Sequence, residues 1–186
     1  ENAVALPMLV VVDPRRTNLT PSHGVGRMAG AGVVSRSRVA LAFARSFGLS
    51  VSIMRGGANP QVSDATANPW IKGFEPLRSD ILLERRGRSC YSSEFFCEVA
   101  QAAGGEIVLA GFIGDGGTLA TVIDALKVGH RVTILRDATY DRTAQLFSEA
   151  HLRALRDFTH LHVRVKTVHT WTASFTPISA RSGRCE

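Results

Sequence analysis

The sequence predicts an α/β protein built on a parallel β-sheet, and three observations predict it. Short apolar runs without polar alternation recur along the chain, stretches of helical periodicity separate them, and residues 106–138 read as a complete β-loop-α-β unit. A strand covered on both faces has no use for a polar alternate, so unalternated runs are the mark of a sheet buried between layers. Strands that alternate with helices then feed a parallel sheet. A chain of 186 residues with 45% hydrophobic content has enough apolar material for one domain with a sizeable core.

The first strand is Met8–Val12, ending at Asp13-Pro14. A Gly-, Pro-, Ser- and Thr-rich loop over 14–35 leads to a helix that Ser35 can cap, with Val39, Ala42, Phe43 and Phe47 expected inward and Gly48 closing it. Residues 51–54 form the second strand. A long irregular segment, 55–76, follows and carries Trp70 and Phe74; a loop of that length inside a compact domain is usually functional or mobile. The third strand is 81–84, and Ser92 or Ser93 can cap a helix with Phe95, Val99 and Ala102 inward, stopped by Gly104-Gly105. In the unit that comes next, strand 107–110 runs into the Gly-rich turn 111–117. The following helix presents Leu119, Val122, Ile123 and Leu126 on one face, Gly129 stops it, and strand 132–135 leads to Asp137-Ala138. A helix over 143–158, with Phe147, Ala150, Ala154 and Phe158 on one stripe, and a sixth strand over 163–167 complete the pattern. Val10, Ile53, Leu82, Val108, Ile134 and Val165 are expected in the central layers. The domain is expected over 1–170, and 171–186, which has no clear periodicity, is expected as a surface-attached tail.

Composition excludes several function classes. The net charge of +6 comes from Arg residues scattered through every segment; no basic run is interleaved with aromatics, so no nucleic-acid partner is expected. No apolar run approaches the ~20 residues of a membrane span. Cys90, Cys97 and Cys185 have neither metal-ligand spacing nor the framework of a secreted domain, which fits reduced thiols and a cytoplasmic location. The chain starts at Glu1, and an upstream targeting segment is left open.

Five pieces, in order, resemble the isochorismatase-like, or cysteine hydrolase, family over roughly residues 7–170. They are LVVVD ending at Asp13, the strand-end ERRGRSCYSSEF, GFIGDGG followed by TVIDA, GHRVTILRDA, and the late EAHLRAL. The resemblance implies a six-stranded parallel sheet in a three-layer αβα arrangement. It also implies a triad in which an Asp deprotonates a Cys, a Lys stabilises the ionised pair, and the thiolate attacks an amide or related bond. Position by position, the Asp is Asp13, the Lys position holds Arg85 and the Cys position holds Gly117. The Gln expected two residues after the Asp is Arg15. The resemblance further implies a cis peptide between Phe112 and Ile113, with the amides of Ile113 and Gly117 as oxyanion donors.

The candidate site is therefore Asp13, Arg85 and Gly117, with Arg15, Trp70, Ile113 and Gly114 as substrate-binding residues. No metal is expected, because the segment MRGGANP after the second strand lacks the Asp-x-His of the family's metal-binding branch; no other cofactor is expected either. Isochorismatases proper also carry Gly at the Cys position and use their Asp to protonate a vinyl ether, which needs a carboxylic acid in an apolar setting. Here a fixed cation beside the acid works against proton donation. The expected function is Cys-independent hydrolysis of a small anionic substrate. The alternatives are a non-catalytic member that binds a small carboxylate or a protein partner, and a purely structural subunit; a homo-oligomer is expected. Each residue also has a plainer reading: Asp13 as a turn cap or a partner of Arg15, Arg85, Arg86 and Arg88 as a solvated cluster, Asp115 as a helix cap, His151 and His160 as solvated or held by a side-chain bond, Cys90 and Cys97 as packing.

Overall fold

A computed structural model describes residues 6–16, 27–56, 70–113, 116–140 and 162–175. Six strands form one all-parallel sheet in the order β3-β2-β1-β4-β5-β6. They are β1 Met8–Val12, β2 Val51–Gly56, β3 Ile81–Arg85, β4 Glu106–Phe112, β5 Arg131–Tyr140 and β6 Val163–Lys166. The helices are α1 Arg27–Phe47, α2 Phe96–Ala102, α3 Gly117–Lys127 and α4 Val168–Ala173, with a 3-10 turn at Cys90–Ser92. The predicted helix over 143–158, including the EAHLRAL stretch, lies outside the described residues. Strand order reverses between β1 and β4, and in open α/β sheets the crevice at the strands' carboxyl ends beside that reversal is where ligands bind.

The sheet separates two apolar layers. One gathers Leu9, Val11, Ile53, Val108 and Ala110 with α1 and α4; the other gathers Met8, Val10, Met54, Ile107 and Leu109 with α2 and α3. The alternation along β1 and β4 feeds both layers, which is why these runs show no polar residues. On the first face Phe43 packs edge-on against Trp171 at 5.4 Å and Phe175 at 5.5 Å, centroid to centroid.

Several expectations are corrected. Leu82 and Val165 are 45% and 36% exposed, because β3 and β6 are the two edges of the sheet. Helix α1 buries Val33, Val34, Ser37, Ala40, Leu41 and Ala44 and leaves Val39 and Phe47 exposed. Its stripe is rotated from the expected one because Ser37, a polar residue, sits inside it and donates to the Ala138 carbonyl at 2.8 Å. In α2 the buried residues are Phe96 and Ala100, while Phe95 is exposed. In α3 Ile123 is exposed, and Thr118, Thr121, Val122 and Ala125 are buried. Strand β5 continues well past Leu135, because its register against β4 shifts between Leu109 and Gly111. Helix α4 runs across the expected boundary at residue 170, and Trp171 lies in the core, so 171–175 are not a surface tail. Among the described residues, no helix is long and apolar enough to cross a membrane.

Candidate functional site

Close approach of β4 to β1 sets the site. A Cβ on Gly111 would lie 2.3 Å from the carbonyl oxygen of Val12, and Gly111 has φ +98°, so both space and backbone demand glycine there. The ends of β1 and β4 therefore turn into loops side by side.

At the end of β1, Asp13 donates its amide to the Met54 carbonyl at 2.7 Å and takes φ +48°. It is the only non-glycine residue with positive φ among the described residues. Its side chain is largely buried, and both carboxylate oxygens are engaged by Arg15: Nε donates to Oδ1, and Nη2 donates to Oδ2 at 3.0 Å. This two-pronged geometry is the strong form of an ion pair. The same hydrogen bond raises the Arg15 pKa further above its ordinary value, so the guanidinium stays charged. Arg15 also bridges Trp70 in an antiparallel contact, Ile71 donates to the Pro14 carbonyl at 2.9 Å, and Arg16 Nε donates to the Trp70 carbonyl at 3.0 Å. Asp13, Arg15 and Trp70 thus form one joined group.

Arg85, Ile113 and Gly117 form a second. Arg85 ends β3 and is only 9% exposed. Its Nη1 donates to the Arg88 carbonyl and its Nη2 to the Ile113 carbonyl, the latter at 2.7 Å, while its buried Nε–H has no acceptor. Among the described residues no carboxylate oxygen lies within 4.0 Å of this guanidinium. Gly117 is the first residue of α3. A Cβ built there would meet Ile113 Cγ2 at 2.7 Å, the Arg88 carbonyl oxygen at 2.9 Å and Arg85 Nη1 at 3.1 Å. The two groups adjoin at Gly56, the register partner of Arg85, whose own Cβ would lie 3.1 Å from Asp13 Oδ2. Gly114 and Asp115 lie outside the described residues.

The oxyanion arrangement is not present as expected. The Phe112–Ile113 peptide is trans, and the Ile113 amide donates to the Tyr140 carbonyl at 2.9 Å, so it is not aimed at a ligand. Cys90 is buried in the core, its thiol pushed up by burial, and its amide donates to Thr121 Oγ1 at 3.0 Å. Cys97 is half-buried in α2, and Cys185 lies outside the described residues. Among the described residues, no three His, Cys, Asp or Glu side chains cluster as metal ligands. Sequence reasoning missed Gly56, whose smallness lets the Asp13–Arg15 pair close, and Thr118, whose buried hydroxyl has no partner beside Gly117. Only the Gly56-Gly57 doublet could have hinted at the first.

Residues 7–169 match the Isochorismatase domain. Solved structures share the fold. An isochorismatase from Pseudomonas putida KT2440 is 19% identical, covers 89% of this chain and 90% of its own, and has a TM-score of 0.71. An isochorismatase-like hydrolase from Alkaliphilus metalliredigens is 17% identical over 92% and 99%, with a TM-score of 0.73. N-carbamoylsarcosine amidase from Thermoplasma acidophilum is 21% identical over 88% and 96%, with a TM-score of 0.66. No curated protein matches the sequence.

Proposed function

The chain belongs to the isochorismatase family, and we propose that it is a member without thiol chemistry, whose site holds a small carboxylate. The observation that carries this reading is Arg85. A guanidinium buried at the first residue of α3, with one N–H lacking an acceptor and no carboxylate beside it among the described residues, is an incompletely compensated buried charge. Two carbonyl hydrogen bonds offset part of that cost. A bound anion offsets the rest, and the helix start favours negative charge for the same reason. Gly117 supplies no nucleophile, and Cys90 is too buried and too weakly acidic to replace one.

The test is thermal stability and calorimetric titration with a panel of small mono- and dicarboxylates. A binder at a hundred times its dissociation constant stabilises the fold by about 2.7 kcal/mol. Arg85→Met abolishes the effect on this reading, and Arg85→Lys weakens it. Binding that survives Arg85→Met at full strength places the ligand elsewhere and overturns the proposal.

A second reading, acid-assisted vinyl-ether hydrolysis through Asp13, is favoured by one feature. Asp13 holds a left-handed backbone at the strand end, and such conformations concentrate at functional sites. Arg15 argues against it by holding both oxygens. Turnover of isochorismate that vanishes in Asp13→Asn would favour catalysis over binding alone.

A further inference from the structure

We infer that Arg85 acts as an internal plug in the socket of the missing nucleophile, so that Arg85 and Gly117 are one coupled replacement. The three atoms nearest to a Cβ at 117 are Ile113 Cγ2, the Arg88 carbonyl oxygen and Arg85 Nη1. Arg85 governs all three. It is itself one of them. It holds the Arg88 carbonyl in place through Nη1. It holds Ile113 through Nη2 on one side, while the Ile113 amide is tied to Tyr140 on the other, so the isoleucine cannot drift away. A contact of 2.7–2.9 Å to a Cβ is closer than real side chains show, and here two of the three obstacles are a backbone oxygen and a residue pinned at both main-chain groups. Glycine at 117 is therefore required for as long as arginine stands at 85.

Lysine at 85 would undo this. It carries a single ammonium on a flexible stem and cannot present the planar fork that bridges two carbonyls. The Arg88 segment is then free to give, and Ile113 keeps only its amide tie to Tyr140, so both can shift by the roughly half an ångström that a Cβ needs. In this sense Arg85 is a positioning residue, acting on the site through two backbone carbonyls. The inference needs no ligand and stands whether or not the carboxylate reading holds.

The experiment is a cycle of Gly117→Ala and Arg85→Lys, read by thermal unfolding without ligand. Gly117→Ala alone is expected to lower Tm by about 5–10 °C, the range for an overpacked core in a protein of this size. In the Arg85→Lys background most of that loss disappears. Gly32→Ala, in α1 with nothing within 4 Å of the new Cβ, serves as the control and leaves Tm unchanged or slightly raised. The chemical readout uses Gly117→Cys, with alkylation followed residue by residue by mass spectrometry across pH. The introduced thiol reacts at least about tenfold faster when Arg85→Lys accompanies it, and its reaction turns on at lower pH than that of Cys90 or Cys97. Equal Tm losses in the two backgrounds overturn the coupling, as do equal alkylation rates. Should Arg85→Lys not fold, the comparison of Gly117→Ala with Gly32→Ala in the parent chain still decides: equal tolerance at the two positions overturns the plug.

Discussion

The two groups at the carboxyl edge of the sheet are held by different physics. At the end of β1 Asp13 is held by charge: Arg15 occupies both of its carboxylate oxygens from a partly exposed position, its side chain 26% accessible. At the ends of β3 and β4 the contacts are made by packing: Arg85 is buried against Gly117, Ile113 and the Arg88 carbonyl. A lock made of charge that reaches solvent on one side is sensitive to salt and can be released by one substitution. A lock made of overlapping volumes is strong and needs two. The difference predicts which half of the site can be reopened.

The largest expected effect lies on the packed side. Arg85→Ala leaves the Arg88 and Ile113 carbonyls without their charged donor and opens a void beside Gly117. Hydrogen bonds to charged groups contribute about 1.5–3 kcal/mol each, so the loss of two in urea unfolding should be about 3–6 kcal/mol. A loss under about 1 kcal/mol would mean that the guanidinium is not a structural element, and the contrast between the two halves would collapse.

His130 tests the same packed layer by pH. It is 2% exposed, its Nε2 donates to Gln101 Oε1 at 2.9 Å, and its Nδ1 accepts from the Tyr91 hydroxyl at 2.8 Å. Burial lowers its pKa, and burial likewise pushes the Tyr91 phenol up, so neutral His and neutral Tyr form the stable pair. The sign follows from proton counts. Below about pH 6.5 the unfolded chain binds a proton on this residue that the folded chain refuses, so the stabilising contribution is complete above that pH and falls away as pH drops. The slope cannot exceed about 1.4 kcal/mol per pH unit for one proton. His130→Gln should flatten this part of the pH profile; an unchanged slope would assign it to other groups.

On the charged side the effect is smaller. A double-mutant cycle of Asp13→Asn with Arg15→Met should give a coupling of about 1 kcal/mol in low salt, reduced in about 1 M salt because one partner is partly exposed. A coupling of about 3 kcal/mol or more that resists salt would make this lock as strong as the other and end the comparison.

How much of this was legible depends on what kind of signal each feature leaves. The six strands were readable because a run such as Met8–Val12, buried on both faces, leaves an unalternated apolar mark. Which strands stand at the edges was not, since strand order is decided by pairing between distant segments, and Leu82 looks like Ile53 in sequence. Helix phase failed in α1 because its buried stripe includes Ser37, whose hydroxyl reaches a carbonyl 101 residues away. Asp13, Arg85 and Gly117 came from the order of short motifs. What Arg85 does came from no motif: its partners are main-chain oxygens of Arg88 and Ile113, and a carbonyl leaves no trace in residue type. The Arg15 contact with Asp13 is local, two residues apart, and the sequence did suggest it; that both oxygens would be taken required the geometry.

The smallest effect marks the outer limit of the packed half. Asp124 belongs to the TVIDA stretch that carried part of the family resemblance, yet it is partly exposed on α3 and pairs with Lys127 at 2.8 Å. That hydrogen bond, more than the one from Ser89, lowers the Asp124 pKa. Both side chains are substantially exposed, 34% for Asp124 and 67% for Lys127, so solvent screens the pair. Exposed pairs one turn apart are worth about 0.3–0.5 kcal/mol. Lys127→Ala should therefore change unfolding free energy by no more than about 0.5 kcal/mol and leave carboxylate binding unchanged. A loss above about 1 kcal/mol, or any loss of binding, would show that the tightly determined region extends through α3 to its outer face, and that Asp124 belongs with Gly117 rather than with the solvent.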